Sequence, residues 1–408
     1  MNGAGERRDQ GAERRDQGAE RRDQGAERRD QGAERRDQLP AIDWEVAAGI
    51  GRRLARSGPA MTEYTRNQVY AELADASARA EAPVRELTGL ADGLAVPAAR
   101  VIDREDWITA SANSMRSMMA AAADVAAAGD DGVPATDSGG VSATDSGGVS
   151  APAAGGLMTA LTAKAGGFQA GGLLAFLSGA ILGQYDPFTA DPVTGDDGVL
   201  LLVAPNIVNV ERKLKAVPAD FRLWVCLHEV THRVQFSANP WLRDYMVDNL
   251  ATLAAEGAET TAQLVTRIAA AVRSDKPREP GVLGVMQLLQ SPEQYEAFAN
   301  LMMLGTLLEG HADHVMDAVG PAHVPTVERI RAGFDARRTA PRNPIARIMR
   351  ALIGMDAKMA QYIRGKAFTD HVVGAVGMGP FNTIWTGPET LPRPDEIDEP
   401  DRWIARVL

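Results

Sequence analysis

From Phe221 to Phe236 the chain reads Phe-Arg-Leu-Trp-Val-Cys-Leu-His-Glu-Val-Thr-His-Arg-Val-Gln-Phe. Its apolar residues at 221, 224, 225, 227 and 230 recur at helical spacing, so the run is expected to be a helix, with Asp220, just after Pro218, as its N-cap. Residues four apart share one helix face, and His228 and His232 therefore aim their imidazoles at a common point. Two neutral imidazoles so placed are good ligands for zinc, which accepts nitrogen readily. Glu229, offset by one residue, can reach a water at such an ion without ligating it and is the expected catalytic base. The plain alternative is a buried helix whose two histidines merely hydrogen-bond.

The formal charge of −11 bears on partners only once it is located. Residues 1–38 hold five near-copies of Gly-Ala-Glu-Arg-Arg-Asp-Gln, each with two acids and two arginines, so the whole charge lies beyond them. An acidic body argues against nucleic acid as a partner. The repeats have no apolar seam to bury and are expected to be disordered. A single cysteine, Cys226, excludes an internal disulfide framework and fits a reducing compartment. With no charged-then-apolar leader and no long apolar span, the expectation is a cytoplasmic protein without membrane contact. Gly166–Gly183 is the nearest approach to such a span, but its polar interruptions and Gly/Ala content suggest a closely packed pair of buried helices.

The rest, residues 39–408, reads as one mainly α body with a small β component. Asp43 to Ala55 should form a short helix, and 61–126 two or three amphipathic helices, one opening at Asp103. Two tandem copies of Ala-Thr-Asp-Ser-Gly-Gly-Val-Ser occupy 135–150, so 129–155 is expected to be a flexible insertion. Gly183–Phe188 and Asp191–Gly198 are turn-dense. Val199–Ala204 is short, apolar and bounded by Gly198 and Pro205, the clearest strand in the chain. The histidine-bearing helix should end near Pro240, further helices should occupy 241–273, and Ser274–Pro280 should be a polar loop. A long helix starts at Ser291-Pro292-Glu293-Gln294, with serine as N-cap, proline in the first turn and glutamine completing a capping box.

That helix carries Leu308-Glu309-Gly-His311-Ala-Asp313-His314. A catalytic zinc site wants three protein ligands and one open position. At about 100° per residue Glu309 and Asp313 share a face, while His311 points roughly 200° away from Glu309. Glu309 is thus the leading third ligand, with His311 as the alternative. Asp313 is placed to accept the second ring N–H of a ligating histidine. Gly310 either lets this helix approach the histidine helix closely or simply weakens it. His314, His323 and His371 read as ordinary histidines.

His228-Glu-Val-Thr-His232 with a downstream Glu309-Gly-His-Ala-Asp313 resembles the gluzincin arrangement of zinc peptidases. More narrowly, six segments are similar to an actinobacterial zincin-like family described as hydrolases or zinc-dependent metalloproteases. These are Ile42-Asp-Trp-Glu, Gly183-Gln-Tyr-Asp-Pro-Phe, Leu202-Val-Ala-Pro-Asn, Asp220 to Phe236, Pro240-Trp-Leu-Arg, and Phe381-Asn with Pro388-Glu-Thr-Leu-Pro. The resemblance spans nearly all of 42–408. It implies a zincin-like metalloprotease fold, mainly α (α+β), with a small sheet beside the His-Glu-x-x-His helix. It also implies His228, His232 and Glu309 as zinc ligands and Glu229 as base. Part of that family is associated by name with biosynthesis of a deazaflavin cofactor, which identifies no substrate. Glu309 lies 77 residues after His232, far more than in short-spacer gluzincins, so the intervening helices must fold away from the site.

The strand before the histidine helix is where zinc peptidases keep an edge strand for an extended substrate; an ordinary core strand is the alternative. Tyr245, Tyr362, His371 and Arg233 are the side chains that could stabilise an oxyanion, though packing or solvation explains each equally simply. Cys226 and Thr231 should only pack. Pro388–Pro400 should wrap over the body as irregular chain, with Trp403 anchoring a final short helix. The expected activity is zinc-dependent hydrolysis of a peptide bond in a peptide or protein substrate. The alternatives are a zinc amidohydrolase acting on a small metabolite and a non-catalytic helical scaffold.

Overall fold

The structure, a computed structural model, describes residues 42–128, 153–190, 195, 197–254, 291–339 and 355–408. The repeats of 1–38, nearly all of the 129–155 insertion, residues 255–273 and the 274–280 loop lie outside the described residues. Among the described residues, ten helices of more than one turn lead up to the C-terminal segment: α1 (Trp44–Leu54), α2 (Glu63–Thr88), α3 (Arg104–Ala128), α4 (Ala153–Leu177), α5 (Ala204–Leu214), α6 (Pro218–Ala238), α7 (Trp241–Ala254), α8 (Pro292–His323), α9 (Val327–Thr339) and α10 (Met355–Val376). The short α11 (Met378–Phe381), α12 (Pro394–Asp398) and α13 (Pro400–Val407) follow. Three strands, β1 (Arg100–Ile102), β2 (Gly183–Ala190) and β3 (Asp197–Val203), form one mixed sheet in the order β1-β3-β2.

β3 runs parallel to β1 and antiparallel to β2, pairing Val101 with Leu202 and Gln184 with Leu201. It is the central strand, which explains its unbroken apolar sequence: both faces are covered. Val199, Leu201 and Val203 point into a core with Trp107, Ile108 and Leu174 from α3 and α4. Leu200 and Leu202 point the other way, into the main core with Leu73, Phe221, Leu227 and Val315 from α2, α6 and α8. The expectation of a substrate-holding edge strand at 199–204 therefore fails, and its core-strand alternative holds. The outer strand beside α6 is β2, in the segment read as turns. Pro187 misled that reading: the register shifts between Asp186 and Ala190, and an outer strand tolerates proline at such an irregularity. Asp186, buried there, accepts hydrogen bonds from Ser114 Oγ (2.7 Å) and Phe188 N (3.0 Å). β1, three residues long, carried no sequence signal.

Several helix boundaries follow the local chemistry. Asp43 caps α1 by accepting from Val46 N, and Ser291 with Gln294 forms the capping box of α8. Asp220 is not the cap of α6. Val217 is, with Pro218 in the first turn, and the Asp220 carboxylate instead accepts from Thr326 N (3.0 Å) and Thr326 Oγ1 (2.6 Å), tying α6 to the start of α9. Gly166–Gly183 is not a helix pair: α4 is one helix to Leu177, packed along α1, with Phe168, Leu173 and Phe176 exposed.

α8 lies between α6 and α10. Gly310 serves the α10 side: a Cβ there would stand 2.1 Å from the carbonyl carbon of Gly365, and one on Gly365 would stand 2.0 Å from Thr306 O. The two glycines face each other across a backbone-to-backbone crossing, so Gly310 does not serve the approach to the histidine helix. Beyond it a second core gathers Leu242, Leu304, Leu307, Phe368, Phe381, Trp385 and Trp403. Trp403 is fully buried and donates through Nε1 to Thr390 O (2.8 Å), the expected anchor of the C-terminal segment.

Candidate metal centre

α6 is buried almost all round. From Phe221 to Gln235 every residue is buried except His228 and His232, so along this stretch the helix meets solvent only at its two imidazoles. Its remaining faces are fixed by packing and by enclosed charge. Arg233 pairs with Glu81 of α2, which also accepts from Arg85 Nε (2.7 Å), and Arg233 Nη1 donates to Pro97 O (2.5 Å). Arg222 is held by Glu211 (2.9 Å) and Glu72. A guanidinium buried against carboxylates costs several kcal/mol to unpair, roughly 3–5, so the helix cannot turn about its axis cheaply. The direction of the imidazoles is set from behind.

The carboxylate comes from α8. His228 Nε2 lies 3.2 Å from His232 Nε2 and 3.3 Å from Glu309 Oε2, and His232 Nε2 lies 3.6 Å from the same oxygen. Ligands at roughly 2.0–2.2 Å from a tetrahedral zinc stand about 3.3–3.6 Å apart. The three atoms therefore fit one face of such a tetrahedron, in distance and in donor chemistry. The imidazole planes are perpendicular, with centroids 4.8 Å apart. The three side chains are 18 %, 14 % and 22 % exposed, so the triangle is not sealed from solvent. Among the described residues, this is the one group of three that could hold a metal ion.

The electrostatics match a site built for a cation. Burial alone would raise the Glu309 carboxyl, but hydrogen bonding and charge from His228 and His232 hold it well below the usual range. Burial would lower His228, yet Glu309, Glu229 and Asp313 outweigh it and raise the imidazole to about 9. Two histidines thus share a pocket with three carboxyl groups. Glu229 behaves oppositely to Glu309: burial raises its carboxyl, partly offset by the two histidines.

Asp313 lies one turn beyond Glu309, almost fully buried. Its Oδ1 is 3.6 Å from His228 Nδ1 and 3.8 Å from Arg331 Nη1, ion-pair distances longer than a hydrogen bond. His311 is not brought to the other ligand atoms. Its ring is fully buried between Phe381 (centroids 5.5 Å) and Trp385 (5.3 Å), with Nδ1 3.0 Å from Gln235 Nε2, and burial depresses its pKa to about 3. Of the oxyanion candidates, Arg233 is committed to Glu81, His371 pairs with Asp401 at 2.7 Å, and Tyr245 packs on Trp241; the Tyr362 side chain lies outside the described residues. Cys226 and Thr231 are buried in the helix packing, as expected.

Two residues escaped the sequence reading. Gly183, the first residue of β2, lies directly over Glu229: a Cβ would come within 2.7 Å of both Cγ and Cδ of that side chain. Gln235 touches His232 from behind, its Oε1 2.9 Å from Nδ1. The second had a readable signal, three residues after His232 on one helix. The first did not, because only the tertiary fold brings β2 over α6.

No protein of curated function matches the chain. Among solved structures, a protein from Chloroflexus aurantiacus, described as a candidate hydrolase with a novel fold, is similar over 90 % of this chain and 98 % of its own, at 28 % identity and a TM-score of 0.57. The sequence pattern of the zincin-like metallopeptidases matches residues 42–404. With that match running from before α1 to within α13, the chain belongs to the zincin-like metallopeptidase family.

Proposed function

We propose that this protein is a zinc-dependent peptidase, with His228, His232 and Glu309 as the metal ligands and Glu229 as the general base. The observation that carries the reading is the triangle of 3.2, 3.3 and 3.6 Å between the two Nε2 atoms and Glu309 Oε2. Zinc, when bound, supplies a Lewis acid that polarises a carbonyl and acidifies water. Glu309 neutralises half the ion's charge, and Asp313 supports His228 from the opposite ring nitrogen. The Glu229 carboxylate takes the proton of the attacking water and passes it to the leaving nitrogen. Burial raises its carboxyl above the ordinary range, the direction that helps a base which must also donate the proton. Gly183 leaves the carboxylate its room.

A peptide is favoured over a small amide by β2. It is an outer strand of the sheet, and its first residue abuts Glu229, so an extended chain laid along Gly183–Asp186 would bring a backbone carbonyl toward the base. Digestion of a peptide library by the zinc-loaded chain, beside Glu229→Gln, tests this. Cleavage by the wild type and none by the variant is expected. Hydrolysis of small amides with no peptide cleaved would turn the assignment to an amidohydrolase.

A further inference from the structure

Gln235 sits in a buried set of polar contacts behind the ligand triangle. Its Oε1 is 2.9 Å from His232 Nδ1, while its Nε2 is 3.0 Å from Leu308 O and 3.0 Å from His311 Nδ1. A carbonyl oxygen can only accept, so the amide NH2 must occupy the side facing Leu308. Reversing the amide would set two oxygens against each other in a dry interior. His311 Nδ1 meets that same NH2 and must accept, which puts the proton of the neutral ring on Nε2. The fully buried position between Phe381 and Trp385 suits a neutral ring. With the NH2 committed, only Oε1 remains for His232 Nδ1, and that nitrogen must donate. Its lone pair is then on Nε2, the atom that faces His228 and Glu309.

We propose that Gln235, oriented by the Leu308 carbonyl and by His311, is a positioning residue that locks His232 in its Nδ1–H tautomer and so presents Nε2 as the ligand atom. Both anchors lie on α8, which also carries Glu309, so docking of α8 delivers the carboxylate and sets the tautomer together. A glutamine here does for His232 what a carboxylate does for many ligating histidines, without adding a fourth acid to a pocket that already holds Glu229, Glu309 and Asp313. The inference rests on the metal reading above, but the tautomer belongs to the metal-free chain and can be measured there.

Long-range 1H–15N spectra of the metal-free, full-length protein at alkaline pH report which ring nitrogen of His232 bears the proton. The wild type should show Nδ1–H alone, and Gln235→Leu a mixture of tautomers. Competition with a chromophoric chelator should show zinc bound roughly 10- to 100-fold more weakly by Gln235→Leu. A wild-type proton on Nε2, or a folded Gln235→Leu chain with wild-type zinc affinity, overturns the proposal. Should Gln235→Leu not fold, the wild-type spectrum still decides. A wild type with Nδ1–H that binds no zinc would sink the metal reading and leave the Gln235 assignment standing.

Discussion

Glu229 and Glu309 carry the same carboxyl group and are driven in opposite directions. Glu309 faces both imidazoles and is held ionised; Glu229 is buried beside the sheet and is raised toward the neutral form. Environments that push two like groups apart fit the proposed division of labour, Glu309 as ligand and Glu229 as base. Glu309→Ala should bind zinc far more weakly, read by dialysis and metal analysis. Glu229→Gln should keep its zinc and lose roughly 10²- to 10⁴-fold in turnover. The His228 pKa of about 9 adds a pH dependence. Below that pH the imidazole holds a proton that must leave before the nitrogen can bind a metal, so uptake releases it and apparent affinity climbs with pH until about 9. Calorimetry in buffers of different ionisation enthalpy would detect the released proton at pH 7, and its absence would contradict the assignment of His228 as a ligand. The residues that share a face at helical spacing, His228 with His232 and Glu309 with Asp313, were legible in the sequence because a helix converts spacing into direction. Gly183 and the orientation of Gln235 were not, since both depend on contacts made by elements far along the chain.

α6 and α8 owe their placement to features of different visibility. The apolar spacing of α6 and the cap of α8 are local, and both helices were readable. The strand β3 was readable too, but not its central place, because an apolar run reveals burial and not neighbours. β2 was hidden by Pro187, which an outer strand with shifted register accepts. The α8–α10 crossing was also hidden, since Gly310 names no partner until Gly365 faces it. Gly310→Ala would drive a methyl into the Gly365 carbonyl and should cost about 1–3 kcal/mol or more, measured by denaturant unfolding. Gly183→Ala meets only a side chain, so the fold should survive while Glu229 is displaced. Its expected signature is lowered turnover at unchanged zinc content, and full activity would show that the close approach does not matter.

Across the molecule, the main core and the C-terminal core meet along α8, and the site lies where that helix touches α6. The 76 residues between His232 and Glu309 need not crowd the centre: α7, which lies among them, packs against α3 and α8. This long-range dependence makes the buried ion pairs of α6 matter for function. Arg233→Met leaves Glu81 partnered by Arg85 alone and should destabilise the fold by about 3 kcal/mol, seen as a lowered denaturant midpoint. Among the described residues no helix is long and apolar enough to cross a membrane. What unites cores, helices and charges is the convergence of three side chains on one point, where we propose zinc is held. Anomalous scattering at the zinc edge from crystals of the zinc-loaded protein tests that directly. One peak should stand within bonding reach of His228 Nε2, His232 Nε2 and Glu309 Oε2; a peak that leaves Glu309 out, or zinc found only elsewhere on the chain, would contradict it.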